Sequence, residues 1–213
     1  MTVSRRRGSA ERAARRVELL DAADRVISVA GPQASMRAIA AAAGITKPIL
    51  YRYFGDKGGL YGALADRYLG PLIGAVREAL VGVHGQHDRV RATIDAYLRF
   101  ISEQPQIYRF LVHRAFVEQP EAQSAVSAAI RRLGSEVAAV LRDELDVPVD
   151  ARVAFEALGH GIVGMVHVAG DWWLETQSLD REELVDHLTA MLSGGLDGLS
   201  DHLQQRTVLP AQR

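Results

Sequence analysis

"MRAIAAAAGITKPILYRYFGDK", residues 36–57, decides the fold. Ser35 is placed to cap a short helix, "MRAIAAAA", that stops at Gly44. Gly44 supplies the positive φ that a tight turn requires. Thr46 then caps a second short helix, from Lys47 to about Phe54, and Pro48 falls in its first turn, where a missing N–H costs nothing. Gly55 ends it, and Asp56 caps a further helix containing Leu60, Ala63, Leu64 and Tyr68. Two short helices joined by the turn "GIT" form a helix-turn-helix, with Ile39, Ala43, Ile45 and Leu50 as its small core. In that motif the later helix enters the DNA major groove with its N-terminal residues nearest the bases. Lys47 and Pro48 stand at its leading edge, and Tyr51 and Arg52 face the groove or its walls. The Thr46 hydroxyl, the free N–H groups of the helix start and the Tyr53 hydroxyl are set to meet phosphates. Phe54 points inward, and Lys57 meets the DNA backbone again.

Outward from this motif nearly everything reads as helix, and the fold class is all-α. Ala13, Val17, Leu20, Ala23, Ile27 and Ala30 recur at spacings of three and four over 11–30, where Gly31-Pro32 stops the helix. Pro71 is expected to kink or restart the helix begun at Asp56. Further helices are expected at about 88–103, 106–117, 120–144, 151–175 and 180–204. There is no strand pattern of useful length and no internal repeat.

The chain has 213 residues, 48% of them hydrophobic, which is enough to bury a real core. It has no cysteine, so a disulfide scaffold, a thiolate nucleophile and a CxxC site are excluded. "MTVSRRRGSAERAARR" has no apolar stretch after its arginines and does not read as a signal peptide. No apolar run approaches the roughly 20 residues that span a bilayer, so no membrane partner and a cytoplasmic location are expected. Residues 1–60 hold eleven basic and five acidic side chains, whereas the remainder holds 14 and 21. A basic head on an acidic body points to a polyanion for the head alone.

The run "MRAIAAAAGITKPILYRYFGDKGGLYGALADR" resembles the DNA-binding domain of the TetR family of transcriptional regulators. Ile39, Ala40, Ala43, Gly44, Ile45, Thr46, Leu50, Tyr51, Tyr53, Phe54, Asp56, Lys57 and Leu60 match the family pattern without a gap. The resemblance implies phosphate contacts from Thr46, Tyr51, Tyr53 and Lys57, with Lys47, Pro48 and Arg52 as variable groove-facing positions. Ser35 and Arg37, at the head of the second helix, complete the DNA-facing set. Gly58-Gly59 departs from the pattern, which usually has a helix former at the first of the two; glycine costs about 1 kcal/mol in a helix interior. The implied architecture is a flexible basic arm (1–10), the helix-turn-helix domain (11–57), a helical effector-binding and dimerisation domain (58–205) and a frayed tail (206–213). The implied function is a homodimeric repressor of a palindromic operator, released by a small effector, without a cofactor.

For the effector pocket the apolar faces of the central helices offer Tyr97, Phe100, Ile101, Tyr108, Phe110, Leu111 and Phe116, with Met165 from a later helix. "DWWLE" reads as packing at the domain or dimer boundary, with Trp172 as a pocket-wall residue in the alternative, and His113 and Arg114 are candidates for a ligand head group. "IYRFLVHRAFVEQPE" resembles the matching region of lipid-responsive members of the family, which favours an apolar or acyl-bearing effector. Gly159, Gly161, Gly164 and Gly170, with Gly194, Gly195 and Gly198, suit a tight helical contact between two subunits, the alternative being close packing within one chain. His160, His167 and Asp171 share a helical face that reads as core or interface rather than metal site. "GHGIVG" at 159–164 is no dinucleotide fingerprint, because it lies inside a helix pattern instead of between strand and helix. The alternatives are a helical adaptor that binds only proteins and, lacking any nucleophile elbow, phosphate loop or metal spacing, an enzyme.

Overall fold

The structure, a computed structural model, describes residues 2–114, 120–145 and 152–208, and among them there is no strand. The helices are α1 (Thr2–Ala30), α2 (Met36–Ala42), α3 (Lys47–Phe54), α4 (Lys57–Ala79), α5 (Gln86–Glu103), α6 (Pro105–Arg109), α7 (Pro120–Leu145), α8 (Arg152–Thr176) and α9 (Arg181–Val208). A 3-10 turn, Gly31–Gln33, follows α1, and a π turn, Phe110–Arg114, continues α6. The chain divides into two compact units: residues 1–70 with 104–129, and residues 71–103 with 130–213.

Several expectations are revised. Helix α1 begins at Thr2 and takes in the basic arm. The stripe of α1 agrees at Ala23 and Ile27 and departs elsewhere: Leu19 and Ala22 join them in the core, whereas Val17 is 53% exposed. Both sets satisfy spacings of three and four, and only tertiary packing chooses between them. Of the two outcomes expected at Pro71, a restart is excluded, because α4 runs unbroken through it. The helix expected at 106–117 is a short α6 followed by the π turn, with 115–119 outside the described residues. By contact, the first compact unit runs to Gly70 and also takes in 104–129.

In the first unit α1, α2 and α3 pack around Leu19, Ala23, Ile27, Ile39, Ala40, Leu50 and Phe54. Gly44 turns the chain at φ 67°, and the Ser35 side chain accepts a hydrogen bond from the Ala38 N–H at 3.1 Å, as a cap should. Asp56 caps α4 through the Gly59 N–H at 2.7 Å. Thr46 takes the extended cap conformation, but its side chain makes no capping bond. Tyr61 of α4 stacks on Phe110 of the π turn, with ring centroids 5.0 Å apart. Arg67 and Tyr68 tie α4 to α1: Arg67 pairs with Asp24 at 3.0 Å, and the Tyr68 hydroxyl donates to Asp24 at 2.7 Å.

In the second unit α5 packs against α9 and α8. Ile94, Leu98, Phe155, Val163, Leu184 and Val185 are among its buried residues. Helices α7 and α8 cross closely, since a Cβ on Gly159 would lie 2.4 Å from the Gly134 carbonyl oxygen. Arg142 and Ser135 of α7 both donate to Glu156 of α8, at 3.0 and 3.1 Å, and hold its carboxyl below the usual range. Helix α8 is long and apolar enough to cross a membrane by length and composition, with a mean hydropathy of 1.3 over its best window and only 28% of that window buried. Glycines and histidines interrupt its apolar run, which hides this property in the sequence.

Candidate DNA-binding helix and effector cavity

Helix α3 is only eight residues long. Isolated helices of that length are marginal in water, so its position depends on its neighbours. Leu50 and Phe54 are buried and fix its inner face. Thr46, Lys47, Pro48 and Arg52 are exposed, with Tyr51 and Tyr53 half-buried beside them. The Lys47 ammonium lies 5.5 Å from the Tyr51 ring centre, so cation and ring form one edge of the outer face. Ser35 and Arg37 are exposed at the start of α2. Lys57 is half-buried, its ammonium 5.9 Å from the Tyr61 ring centre.

Past the C-terminus of α3 the chain turns tightly. A Cβ at Gly59 would lie 1.8 Å from the Phe54 carbonyl oxygen, so the second glycine of the pair has a steric reason, whereas the departure at Gly58 has no such explanation here. Three arginines of α1 reach this region, and the candidate site residues did not include them. Arg12 donates to the Arg52 carbonyl at 3.2 Å, Arg16 to the Tyr53 carbonyl at 2.7 Å, and Arg15 to the Ala43 carbonyl at 3.4 Å. Their signal in the sequence is a shared helical face at spacings of three and four.

The second unit contains a cavity of about 490 Å³. Leu72, Ile73, Val76, Ile94, Val163, Val166 and Leu192 give it apolar walls. Its polar groups are few: Gln86, Arg89, Thr93, Tyr97, His167 and the Arg77–Glu136 ion pair, whose members are 3.4 Å apart. The Tyr97 hydroxyl lies 3.2 Å from His167 Nδ1. Apolar walls with a few placed polar groups are the usual make-up of a small-molecule site.

Of the pocket residues expected from sequence, Tyr97 alone is among those lining this cavity. Ile101 is buried, with its Cδ1 3.0 Å from where a Cβ on Gly170 would lie. Phe100 and Met165 are half-buried elsewhere in the second unit, and Trp172 is 46% exposed. Tyr108, Phe110 and Leu111 belong to the first unit. Phe116 and the side chains of His113 and Arg114 lie outside the described residues. His160 and His167 part company: Nδ1 of His160 bonds the Glu156 carbonyl at 2.7 Å, whereas His167 lines the cavity. Among the described residues no three His, Cys, Asp or Glu side chains are grouped to hold a metal ion.

Residues 19–64 match the family described as bacterial regulatory proteins, tetR family, and residues 75–208 match the tetracyclin repressor-like C-terminal domain. The chain is 30% identical over 195 residues to the HTH-type transcriptional activator FasR of Mycolicibacterium smegmatis, covering 91% of this chain and 88% of FasR. It is similar to the solved TetR-like transcriptional regulator from Rhodococcus sp. RHA1, at 26% identity and a TM-score of 0.59, covering 87% of this chain and 97% of that one. It shares its fold with FadR of Bacillus subtilis, solved in complex with stearoyl-CoA, at 17% identity and a TM-score of 0.63, covering 83% of this chain and 96% of that one. The chain is a member of the TetR family of ligand-responsive, DNA-binding transcriptional regulators.

Proposed function

We propose that the chain works as a homodimer that grips a palindromic operator through α3 and changes that grip when an apolar, acyl-bearing effector enters the cavity of the second unit. In this reading the first unit is the DNA-binding domain, and the second binds effector and partner. Groove contacts come from Lys47, Pro48 and Arg52. Phosphate contacts come from Thr46, Tyr51, Tyr53 and Lys57, with Ser35 and Arg37 alongside. The chain acts in the cytoplasm, where its operator lies, as a regulator with no reaction and no cofactor of its own. Its sign is that of a repressor released by effector; FasR, named an activator, has the opposite sign.

The dimer reading is supported by an uncovered stripe. Val153, Val168 and Trp172 of α8 are 80%, 66% and 46% exposed, with exposed Ala157 and Gly161 between them at helical spacing. Met191, 66% exposed, continues with Gly194 and Gly198 on one face of α9. Contiguous apolar exposure of this kind marks an interface, and small residues let backbones approach. A second copy of the same two helices covers it symmetrically.

The observation that carries the effector reading is the cavity, about 490 Å³ and walled mainly by aliphatic side chains. Long-chain fatty acids and their thioesters are the probes to use. Duplex fragments selected from the encoding genome are bound first, and each probe is then titrated in. A probe of this class is expected to change fragment affinity roughly tenfold or more, within the usual range of allosteric coupling. Leu192→Trp, which fills the cavity, is expected to keep DNA binding and lose the response. An unchanged response in that variant, or none to any acyl probe, overturns the reading.

A further inference from the structure

Arg12, Arg15 and Arg16 lie on one face of α1 and are directed at the ends of the two short helices of the motif. A helix leaves its last carbonyls without partners. In α3 the Tyr51 carbonyl accepts from the Gly55 N–H at 2.6 Å. The next two carbonyls, of Arg52 and Tyr53, accept from Arg12 at 3.2 Å and Arg16 at 2.7 Å. The Arg16 guanidinium also lies 4.6 Å from the centre of the buried Phe54 ring. Arg15 serves the end of α2, through the Ala43 carbonyl at 3.4 Å, while pairing with Glu18 at 2.5 Å. Cations at helix C-termini also meet the negative end of each helix dipole.

We propose that Arg12 and Arg16 are positioning residues for DNA recognition, which set the angle and depth of α3 by holding its C-terminal carbonyls, and that Arg15 does the same for α2. The inference rests on the reading of α3 as the helix that enters the groove. Its consequence is that part of the basic head is bound to the protein itself. These arginines raise the net charge of residues 1–60 without adding phosphate contacts.

The test compares the full-length protein with Arg12→Ala and Arg16→Ala on duplex fragments selected by the wild type, over a range of salt. Arg12 is exposed, so its variant keeps the fold if Arg16→Ala does not. Removing a positioning residue is expected to weaken binding of the selected fragment roughly tenfold, because charged hydrogen bonds go with it. The slope of log affinity against log salt should stay that of the wild type. Removing a phosphate ligand instead lowers that slope by about one. Amide exchange at Arg52–Gly55 in the DNA-free variants is expected to speed up. A lowered slope with unchanged exchange overturns the proposal and makes these arginines phosphate ligands. Unchanged affinity and exchange in both variants overturns it too. Failure of the wild type to bind any fragment is a separate result, which removes the reading of α3 and this proposal with it.

Discussion

Gly59 shows how a residue's propensity and its surroundings compete. Alanine at a helix position gains about 1 kcal/mol over glycine from propensity alone. A Cβ there, however, would lie 1.8 Å from the Phe54 carbonyl oxygen, which is backbone and cannot swing aside. Overpacking of that kind costs about 1–3 kcal/mol. Gly59→Ala is therefore expected to lower the melting temperature, and a raised one contradicts the account. Thr189 is the converse case. It is 1% exposed and its hydroxyl has no hydrogen-bond partner. Thr189→Val keeps the shape and removes the orphan, so a stabilisation of about 1 kcal/mol is expected from denaturant midpoints. On the outer face of α3, Arg52→Ala is expected to change which fragments are selected, whereas Lys57→Ala weakens all fragments alike. The exposed outer face of α3 was legible in the sequence because the motif fixes its register. The roles of Arg12, Arg15 and Arg16 were not, because net charge does not reveal which guanidinium faces a helix-end carbonyl 40, 28 or 37 residues away.

Helix starts and stops were readable wherever a local device sets them, as at Ser35, Gly44, Gly55 and Asp56. The buried stripe of α1 and the π turn after α6 were not, since each is chosen by what packs against it. The link between α1 and α4 carries a pH signature. Burial, and then the hydrogen bond to Asp24, push the Tyr68 phenol well above its ordinary value. The folded chain keeps that proton where the unfolded chain loses it, near pH 10. This contribution is complete below about pH 10 and is lost as pH rises towards the folded value. Stability of the wild type, measured by urea unfolding, should fall more steeply through the alkaline range than that of Tyr68→Phe. Parallel curves for the two proteins rule out this coupling. On the exposed stripe of α8, Trp172→Glu places charges in the proposed dimer interface. Sedimentation is expected to show a monomer, and a dimer of undiminished affinity contradicts the interface.

Across the whole molecule, class and family were readable from a dozen spaced positions, because the helix-turn-helix is a local structure. The cavity was not. Apolar stripes such as Tyr108, Phe110 and Leu111 look the same in sequence whether they wall a pocket or fill a core, and these three belong to the first unit. The residues that do line the cavity come from helices far apart in the chain, such as Val76, Tyr97, His167 and Leu192. The central claim is that α3 delivers a charged, dimeric footprint to duplex DNA. Footprinting on fragments selected from the encoding genome, repeated across a salt series, tests it most directly. The account predicts two symmetric protected half-sites about 34 Å apart, centre to centre, with affinity falling steeply as salt rises. A single unpaired half-site, or binding indifferent to salt, would contradict it.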